Sequence, residues 1–389
     1  MSVLLIFMAV GLYFFMSKNT VCDDLRDIEQ LRSNENSINH NVNNAVDILN
    51  ADDQVHAEKL DKHAYTHLSM DSMINGLEQK INILEVDLTE SSIDVKPVLS
   101  FDLIYGFEYL SEIAQRKGAS AAVNAGFFHE YGEPGGMVMV DGVLYTKPTR
   151  QYPVLIIDED NARLEELSID MKITYEDKSI KVHDINAAGN PGCVVVYTPV
   201  FGSDNRAKDE NITAVVNHGV VIEVINTNSS TKIPKNGMLI TYYPPYDKNS
   251  SIISEGQRVK FERSELSSVK QHAYECGSWL LRDGENVAPL WDSWVGVLSN
   301  RAPRTAVGIK DDSILVFITV DGRQPGYSYG VTAKELADIF ISNGVTNAAM
   351  LDGGATTAMY VDGEIVNIPS HLGQERRMGG AFIIKYVED

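Results

Sequence analysis

Carboxylates and arginines that could act on an anionic substrate stand close together in the last quarter of the chain. Asp321 and Asp352 each follow an apolar run and precede glycine, in Asp321-Gly322 and Asp352-Gly353-Gly354. A rigid strand that delivers a carboxylate into a glycine turn exposes it beside a substrate, because glycine adds no side-chain bulk. Arginines stand in the segment 301–305 and at position 323. One Asp-Gly pair alone indicates only a turn, so the prediction of an anion site rests on the combination.

The residue types predict separate roles within this site. Arginine suits a phosphate clamp because its planar guanidinium binds two phosphate oxygens at once. Arg304 and Arg323 are the first candidates for the clamp and Arg376 is the third, although each alone could equally form a surface ion pair. Asp352 is the candidate nucleophile or base. Asp321 is the candidate second carboxylate, with the alternative that it caps its turn and holds Arg323 in place.

Segments spread over most of the chain resemble the phosphodiester glycosidase family. They follow the family's order between about Leu99 and Ile384. The segments are 123–128, 135–137, 141–142, 195–199, 233–237, 276–284, 303–308, 321–324, 332–337, 351–354 and 375–376. Each is weak alone, but their common order makes chance an insufficient explanation.

The resemblance implies a hydrolase that releases a sugar from a glycosyl-1-phosphodiester, in a glycan or cell-surface polymer, at the anomeric carbon. The leaving group is then a phosphate monoester, a weak base that needs little protonation. The protein must clamp the phosphate, stabilise an oxocarbenium-like centre and activate water. The family motifs give the substrate-binding candidates Asn124, Gly353, Gly354, Thr356, Thr357 and Arg376, and the loop before Arg376 adds His371.

Each of these binding candidates also has an ordinary structural interpretation. Asn124 could bond sugar hydroxyls or form a turn, and the Gly353-Gly354 pair could offer backbone N–H groups to an oxyanion. Thr356 and Thr357 could bind phosphate or be ordinary turn hydroxyls. His371 is a candidate proton carrier.

Two positions depart from the family pattern. The third glycine after the aspartate is Ala355, which is tolerated unless the backbone angle φ there is positive. An asparagine usual in the family is Gly380, which removes an amide that could touch substrate. A second interpretation therefore stays open, a non-catalytic glycan-binding, adhesion or virion fibre protein on the same fold. Phe127 or Phe128 could supply a sugar-stacking face in either case.

Composition limits the possible partners. The 389 residues carry a formal net charge of −21, which argues against nucleic acid because phosphate backbones are bound through basic surfaces. No P-loop, dinucleotide fingerprint or zinc-type spacing occurs in the catalytic domain, so we expect no cofactor and no metal. Cys193 and Cys276 could form a bridge or remain free thiols.

The first ninety residues have a different pattern of apolar residues from the rest of the chain. Residues 1–20 are almost wholly apolar and predict an N-terminal apolar helix, a membrane anchor or signal segment that leaves the catalytic domain extracytoplasmic. Residues 24–90 contain no proline, and a four-three spacing runs from Val42 to Leu88, mostly apolar but with Asp53, His56, His63 and His67 in its middle. That heptad pattern predicts a coiled-coil stalk forming a homo-oligomer through residues 42–88.

Residues 98–389 predict an α+β catalytic domain, a mixed β-sheet with few covering helices. Predicted strands include Val138–Val140, Val154–Ile157, Ala214–Val224 and Ile314–Val320. Predicted helices span Phe107–Lys117 and Thr332–Asn343, the second opening with a Thr332–Glu335 capping box.

Overall fold

Short β-branched runs separated by glycine and asparagine turns build most of this chain. The computed structural model describes residues 57–62, 64–245, 253–264, 271–311 and 313–387. The first ten strands are β1 (Ala57–Lys62), β2 (Tyr65–Ile74), β3 (Leu77–Asp87), β4 (Ile93–Leu99), β5 (Ala121–Asn124), β6 (Val138–Val140), β7 (Val143–Thr146), β8 (Val154–Ile157), β9 (Ala162–Glu165) and β10 (Met171–Tyr175). The next nine are β11 (Lys178–Val182), β12 (Asp184–Ile185), β13 (Val194–Tyr197), β14 (Asn211–Asn217), β15 (Val220–Thr227), β16 (Gly237–Tyr242), β17 (Lys260–Arg263), β18 (His272–Glu275) and β19 (Trp279–Arg282). The last nine are β20 (Glu285–Asn286), β21 (Trp291–Asp292), β22 (Gly296–Val297), β23 (Arg304–Ile309), β24 (Ile314–Val320), β25 (Asn347–Met350), β26 (Met359–Val361), β27 (Glu364–Ile365) and β28 (Gly380–Tyr386).

Two α-helices accompany these strands in the part of the chain that the structure describes. They are α1 (Leu110–Lys117) and α2 (Ala333–Ser342). The predicted capping box of α2 is confirmed: the Glu335 N–H donates to Thr332 Oγ1 at 3.1 Å, and the Thr332 N–H donates to the Glu335 carboxylate at 2.9 Å. The fold is therefore predominantly β with few helices, as the sequence predicted.

Two sheets position the candidate site. One has eight strands in the order β1-β2-β3-β24-β23-β25-β19-β20, and the other has five in the order β27-β26-β5-β28-β4. All their pairings are antiparallel, and β12–β13 is a parallel pair in a separate sheet. The domain thus contains a mixed sheet, as expected, although the two sheets at the site are antiparallel.

The two sheets pack face to face, and each carries one helix on its outer face. Phe317 of β24 meets Phe382 of β28 with ring centroids 5.4 Å apart. On the other face of the eight-stranded sheet, Phe340 of α2 packs over Gly308, where an added Cβ would lie 3.0 Å from the ring. Helix α1 covers the outer face of the five-stranded sheet. Because β24 is covered on both faces, its sequence is apolar at every position except Thr319 rather than alternating.

Most predicted strands are confirmed, including Val138–Val140, Val154–Ile157 and Ile314–Val320 with the same bounds. The predicted single strand Ala214–Val224 is wrong, since a turn at His218-Gly219, both with positive φ, splits it into β14 and β15.

The coiled-coil prediction is wrong over residues 57–88, where the chain forms the strands β1, β2 and β3. Asn75 and Gly76, with φ of 52° and 73°, turn β2 back onto β3. Both residues of a tight hairpin turn need positive φ, which Asn-Gly supplies at little cost. Strand β3 is buried on both faces, with Leu84 and Val86 in one hydrophobic cluster and Ile81 and Ile83 in another, and this produced a pattern that imitates a heptad.

The remaining N-terminal predictions lie outside the described residues. They are the apolar segment 1–20 and the stalk up to residue 56. Within the described ranges, no helix has both the length and the apolar character needed to cross a bilayer.

Candidate active site

A cavity of about 260 Å³ opens where β5 and β25 end and β23 begins. Its lining residues are Phe127, Phe128, Trp294, Val295, Ala302, Arg304, Arg323, Asp352, Gly353, Gly354 and Arg376. The cavity thus brings together one carboxylate, three guanidinium groups and an aromatic wall. Four of the predicted site residues contribute these charges, namely Asp352, Arg304, Arg323 and Arg376.

Asp352 is held by the ends of two strands in different sheets. Its N–H donates to the Ala125 carbonyl at 3.1 Å, and its own carbonyl accepts from Asn124 Nδ2 at 2.7 Å. The Asn124 Oδ1 accepts from Thr305 Oγ1 at 2.8 Å and from the Ala358 N–H at 3.1 Å. Asn124 therefore fixes the backbone at Asp352, and its buried amide is saturated by protein groups rather than free for sugar hydroxyls.

The Asp352 carboxyl has an unusual protonation equilibrium. Desolvation by the surrounding protein raises its pKa to about 6, against opposing effects of Thr356, the Gly353 N–H and the positive charge of Arg376. Thr356 Oγ1 donates to Asp352 Oδ2 at 2.7 Å. A carboxyl with a pKa close to neutrality can exchange a proton during a reaction near neutral pH.

Arg304 is a buried cation whose side chain is only 1% exposed. Its Nε donates to the Val331 carbonyl at 3.2 Å and one terminal nitrogen donates to the Asn300 carbonyl at 2.9 Å. Burial and the neighbouring Arg323 lower its pKa to about 10, so it stays protonated at neutral pH. Two backbone carbonyls thus hold a charged guanidinium at the cavity wall.

Arg323 and Arg376 complete the cationic side of the cavity, and both are exposed to solvent. Gly354 has φ of +65°, and a Cβ added there would lie 3.3 Å from the Arg323 guanidinium. Among the described residues, none of the three cavity arginines forms an ion pair with a carboxylate within 4.0 Å. Three arginines facing one carboxylate leave an excess of positive charge in a chain of net charge −21.

The aromatic wall is a stacked pair of rings. Phe127 and Trp294 lie parallel, with centroids 5.3 Å apart and an interplanar angle of 3°. Glycines make the room: a Cβ on Gly135 would lie 2.4 Å from the Trp294 ring, and one on Gly277 would lie 2.6 Å from the Phe127 ring. Stacked aromatic faces suit the apolar face of a sugar ring.

Asp292 anchors the loop that carries Trp294. Its Oδ1 accepts from the N–H groups of Trp294 at 2.7 Å and Val295 at 2.9 Å, and its Oδ2 accepts from Ser278 Oγ at 2.7 Å. Asp292 is buried, so these bonds replace its solvation. The anchor joins the loop to Ser278, next to the glycine that admits Phe127.

The structure does not bring Asp321 to the cavity. Its buried carboxylate accepts from Asn367 Nδ2 at 2.7 Å, the Ile368 N–H at 2.9 Å and the Tyr327 hydroxyl at 3.2 Å. Burial raises its pKa, while these three hydrogen bonds oppose the shift. The geometry matches the alternative considered from the sequence, a carboxylate that fixes the turn carrying Arg323.

Other predicted binding groups either lie away from the cavity or are already hydrogen-bonded within the protein. Thr356 and Thr357 are buried, the first bonded to Asp352 and the second without a partner for its hydroxyl among the described residues. The Gly354 N–H donates to the Pro303 carbonyl at 2.9 Å, so it is not free for an oxyanion. His371 lies in an exposed loop and does not line the cavity.

Sequence reasoning missed Trp294, Val295 and Asp292. The available signal was the segment Trp291-Asp292-Ser293-Trp294, since two tryptophans in a short polar turn are unusual outside a core. The two departures from the family pattern are explained: Ala355 lies in a 3₁₀ turn without positive φ, and Gly380 packs in β28, where a Cβ would lie 2.7 Å from the Val98 carbonyl. Cys193 and Cys276 are free thiols.

Residues 210–385 match the phosphodiester glycosidase family model. The resemblance expected from the motifs is confirmed over this segment, which contains Asp352 and the three cavity arginines. Asn124 and the Phe127–Phe128 pair lie outside it, so the family match covers the charged part of the site.

A relative from Bacillus subtilis aligns with about a third of this chain. The SPbeta prophage-derived uncharacterized protein YomE of Bacillus subtilis is 35% identical over 124 residues, which are 32% of this chain and 19% of that protein. This chain therefore aligns with about a fifth of the Bacillus protein.

Two solved structures share the fold. A hypothetical protein from Synechocystis superposes with a TM-score of 0.72 and 19% identity, over 86% of this chain and 64% of that one. A putative exported protein from Burkholderia pseudomallei superposes with a TM-score of 0.65 and 21% identity, over 80% of this chain and 74% of that one.

Proposed function

We propose that this chain is a hydrolase that cleaves glycosyl-1-phosphodiesters at the anomeric carbon. The observation that carries the proposal is the cavity itself, in which three arginines face Asp352 beside an aromatic wall and, among the described residues, have no carboxylate within ion-pair distance. The phosphodiester glycosidase match over residues 210–385 supports the reaction class.

The arginines would bind the phosphodiester. Each guanidinium can donate two parallel hydrogen bonds to phosphate oxygens. Arg304 is held by backbone carbonyls, whereas Arg323 and Arg376 are exposed and free to close on an anion. As the bond from the anomeric carbon to oxygen breaks, the electron pair stays on the phosphate monoester, whose growing negative charge the arginines stabilise.

One carboxylate in the cavity is compatible with this chemistry. The phosphate monoester leaves without strong protonation, so a second carboxyl acting as general acid is not required. Asp352 in its ionised form would add to the anomeric carbon or remove a proton from the attacking water. The stacked rings of Phe127 and Trp294 would hold the sugar ring.

Hydrolysis of a panel of α-linked sugar-1-phosphodiesters by the full chain tests the proposal. We expect free sugar from the parent protein and a loss of about 10²–10⁴-fold in kcat for Asp352→Asn. Circular dichroism of the variant checks that it is folded. No sugar release by a folded parent protein on any member of the panel would refute the enzyme.

A pair of neighbouring arginines supplies a matched test of the clamp. Arg376 lines the cavity, whereas Arg377 lies over the Tyr109 ring at 5.0 Å and does not line it. Arg376→Ala should lower kcat/KM by about tenfold or more, the value of one charge-assisted hydrogen bond, and Arg377→Ala should not. Equal effects of both variants would show that general surface charge, not a clamp, attracts the substrate.

A second candidate function is glycan binding without turnover, as in an adhesion or virion fibre protein. One observation favours it, namely that Asp352 is the only carboxylate among the described cavity residues. The prophage-derived name of the Bacillus relative agrees with a virion-associated role. Retained glycan binding by both the parent protein and Asp352→Asn, with no turnover by either, would select this function.

A further inference from the structure

A two-stranded hairpin, residues 290–298, stands at the rim of the cavity. Trp291 pairs with Val297 and Asp292 pairs with Gly296. The Leu298 N–H donates to the Leu290 carbonyl at 2.9 Å and closes the hairpin. Asp292 ties its inner side to Ser278, as described above. The hairpin is therefore a short, anchored projection.

Four apolar residues of this rim hairpin are exposed. Leu290 is 71% exposed, Trp291 62%, Val297 50% and Val295 39%. Residues directly opposite in an antiparallel pair project from the same face, so Trp291 and Val297 lie side by side. Single exposed apolar residues are ordinary on protein surfaces, but the adjacent Trp291 and Val297, with Leu290 and Val295 also exposed in the same hairpin, indicate an interaction site.

The same segment carries almost no charge. Between residues 287 and 299 the only ionisable side chain is Asp292, which is 3% exposed and hydrogen-bonded inside the protein. The chain as a whole has a net charge of −21. A neutral apolar tip on an acidic protein can approach a lipid surface without the repulsion that the rest of the surface would meet.

The rim hairpin is continuous with the cavity. Trp294 and Val295 of its turn line the cavity, and Val295 also contributes to the exposed apolar side. A lipid surface in contact with the hairpin would therefore place its phosphate-containing headgroups close to Arg304, Arg323 and Arg376.

We propose that the rim hairpin 290–298 inserts into the interfacial layer of a lipid membrane, so that the cavity acts on phosphodiester-linked sugars carried at that surface. The choice of lipid rests on side-chain chemistry, because exposed leucine and valine offer a glycan neither hydrogen bonds nor a flat ring. Tryptophan suits the interface, since one end of its ring system is apolar and its N–H can meet water. The substrate class rests on the proposed function, whereas the membrane contact does not.

Quenching of Trp291 fluorescence by brominated phosphatidylcholine in vesicles tests the insertion on the full chain. Bromine quenches only nearby indole rings, so the measurement reports the hairpin whatever else holds the protein to the vesicle. We expect the parent protein to be quenched and most of the quenching to be lost in Trp291→Phe. Trp279→Phe, which removes a half-buried tryptophan elsewhere, should keep it. Equal quenching of the parent and Trp291→Phe would overturn the proposal.

A second pair of variants keeps the tryptophan and changes its apolar neighbours. Leu290→Ser with Val297→Ser should reduce the quenching at a given lipid concentration several-fold. Val143→Ser with Ile222→Ser, at positions 53% and 55% exposed on other strands, should leave it unchanged. Unchanged quenching in the Leu290/Val297 variant would overturn the lipid assignment. So would a result in which soluble polysaccharide, but not lipid, shields Trp291 fluorescence from a water-soluble quencher.

Turnover of a water-soluble sugar phosphodiester by the parent protein separates this inference from the proposed function. Turnover without quenching overturns only the membrane contact. Quenching without turnover on any substrate overturns only the glycosidase and leaves a lipid-binding hairpin.

Discussion

Two aspartates in the same sequence context have opposite surroundings. Asp321 and Asp352 each end a strand before glycine, yet only Asp352 lines the cavity. The turn after Asp321 packs against backbone, since a Cβ on Gly322 would lie 2.7 Å from the Pro303 nitrogen. Asn367 and Ile368, more than forty residues away, then cover its carboxylate. The local sequence shows where a strand ends but not which distant residues close over it.

Asp352→Asn should stabilise the protein at neutral and alkaline pH. Burial raises the Asp352 pKa to about 6 from an ordinary value of 3.8, so the folded state holds this proton more tightly than the unfolded chain. Ionisation then costs folding free energy: the cost is absent below pH 4, grows between pH 4 and 6, and is full above pH 6. We expect the free energy of unfolding of the variant to exceed that of the parent by about 1–3 kcal/mol at pH 8. Near pH 3.5 the two should be equal.

Urea denaturation at several pH values measures this difference. Asp283→Asn, at an exposed turn position, is the matched control and should show no pH-dependent gain. A variant less stable than the parent at pH 8 would mean that the ionised carboxylate stabilises the fold, contrary to its raised pKa.

At the scale of elements, strand and helix positions were largely predictable and the sheet partners were not. β24 and the α2 capping box follow from local patterns. The strands over 57–88 were missed because a covered strand has apolar residues on both faces, which imitates helical spacing, although Asn75-Gly76 is a strong hairpin signal. The Phe127–Trp294 stack joins segments more than 160 residues apart, and no local pattern predicts such a contact.

Gly135→Ala should damage the aromatic wall at a position whose φ alanine can adopt. Gly135 has no positive φ, but its new Cβ would lie 2.4 Å from Trp294, so the ring must move away from Phe127. We expect kcat/KM to fall by about tenfold or more, mainly through KM, and tryptophan emission to change, because about 1.4 kcal/mol of lost binding corresponds to tenfold.

Gly76→Ala is the matched control for this substitution. Its φ is +73° and nothing lies within 4 Å, so it should cost about 1 kcal/mol of folding free energy and leave activity unchanged. Equal loss of activity in both variants would show that Gly135 acts only through stability.

At the scale of the whole molecule, an acidic chain concentrates positive charge in one place. The net charge of −21 repels anions at long range, whereas the three cavity arginines attract them at short range. The net charge of the whole chain does not locate the arginines. Their convergence depends on β23, the loop after β24 and the loop before β28 meeting at one edge of two packed sheets.

Residues 57–87, which the heptad pattern predicted to be part of a stalk, contribute β1, β2 and β3 to the eight-stranded sheet. Their removal should therefore unfold the protein. A chain that begins at Ser91 lacks β1, β2 and β3 and exposes the edge of β24. It also loses the buried β3 side chains of Ile81, Ile83, Leu84 and Val86. Each contributes about 1.5–3 kcal/mol, and together they are comparable to the whole stability of a domain, about 5–15 kcal/mol.

We expect no cooperative thermal transition for the chain that begins at Ser91, whereas a chain that begins at Ala57 should keep one. A cooperative transition of the Ser91 chain at the parent temperature would show that the β3–β24 pairing is dispensable, and the cavity would then have to be held by β23, β25 and the five-stranded sheet alone.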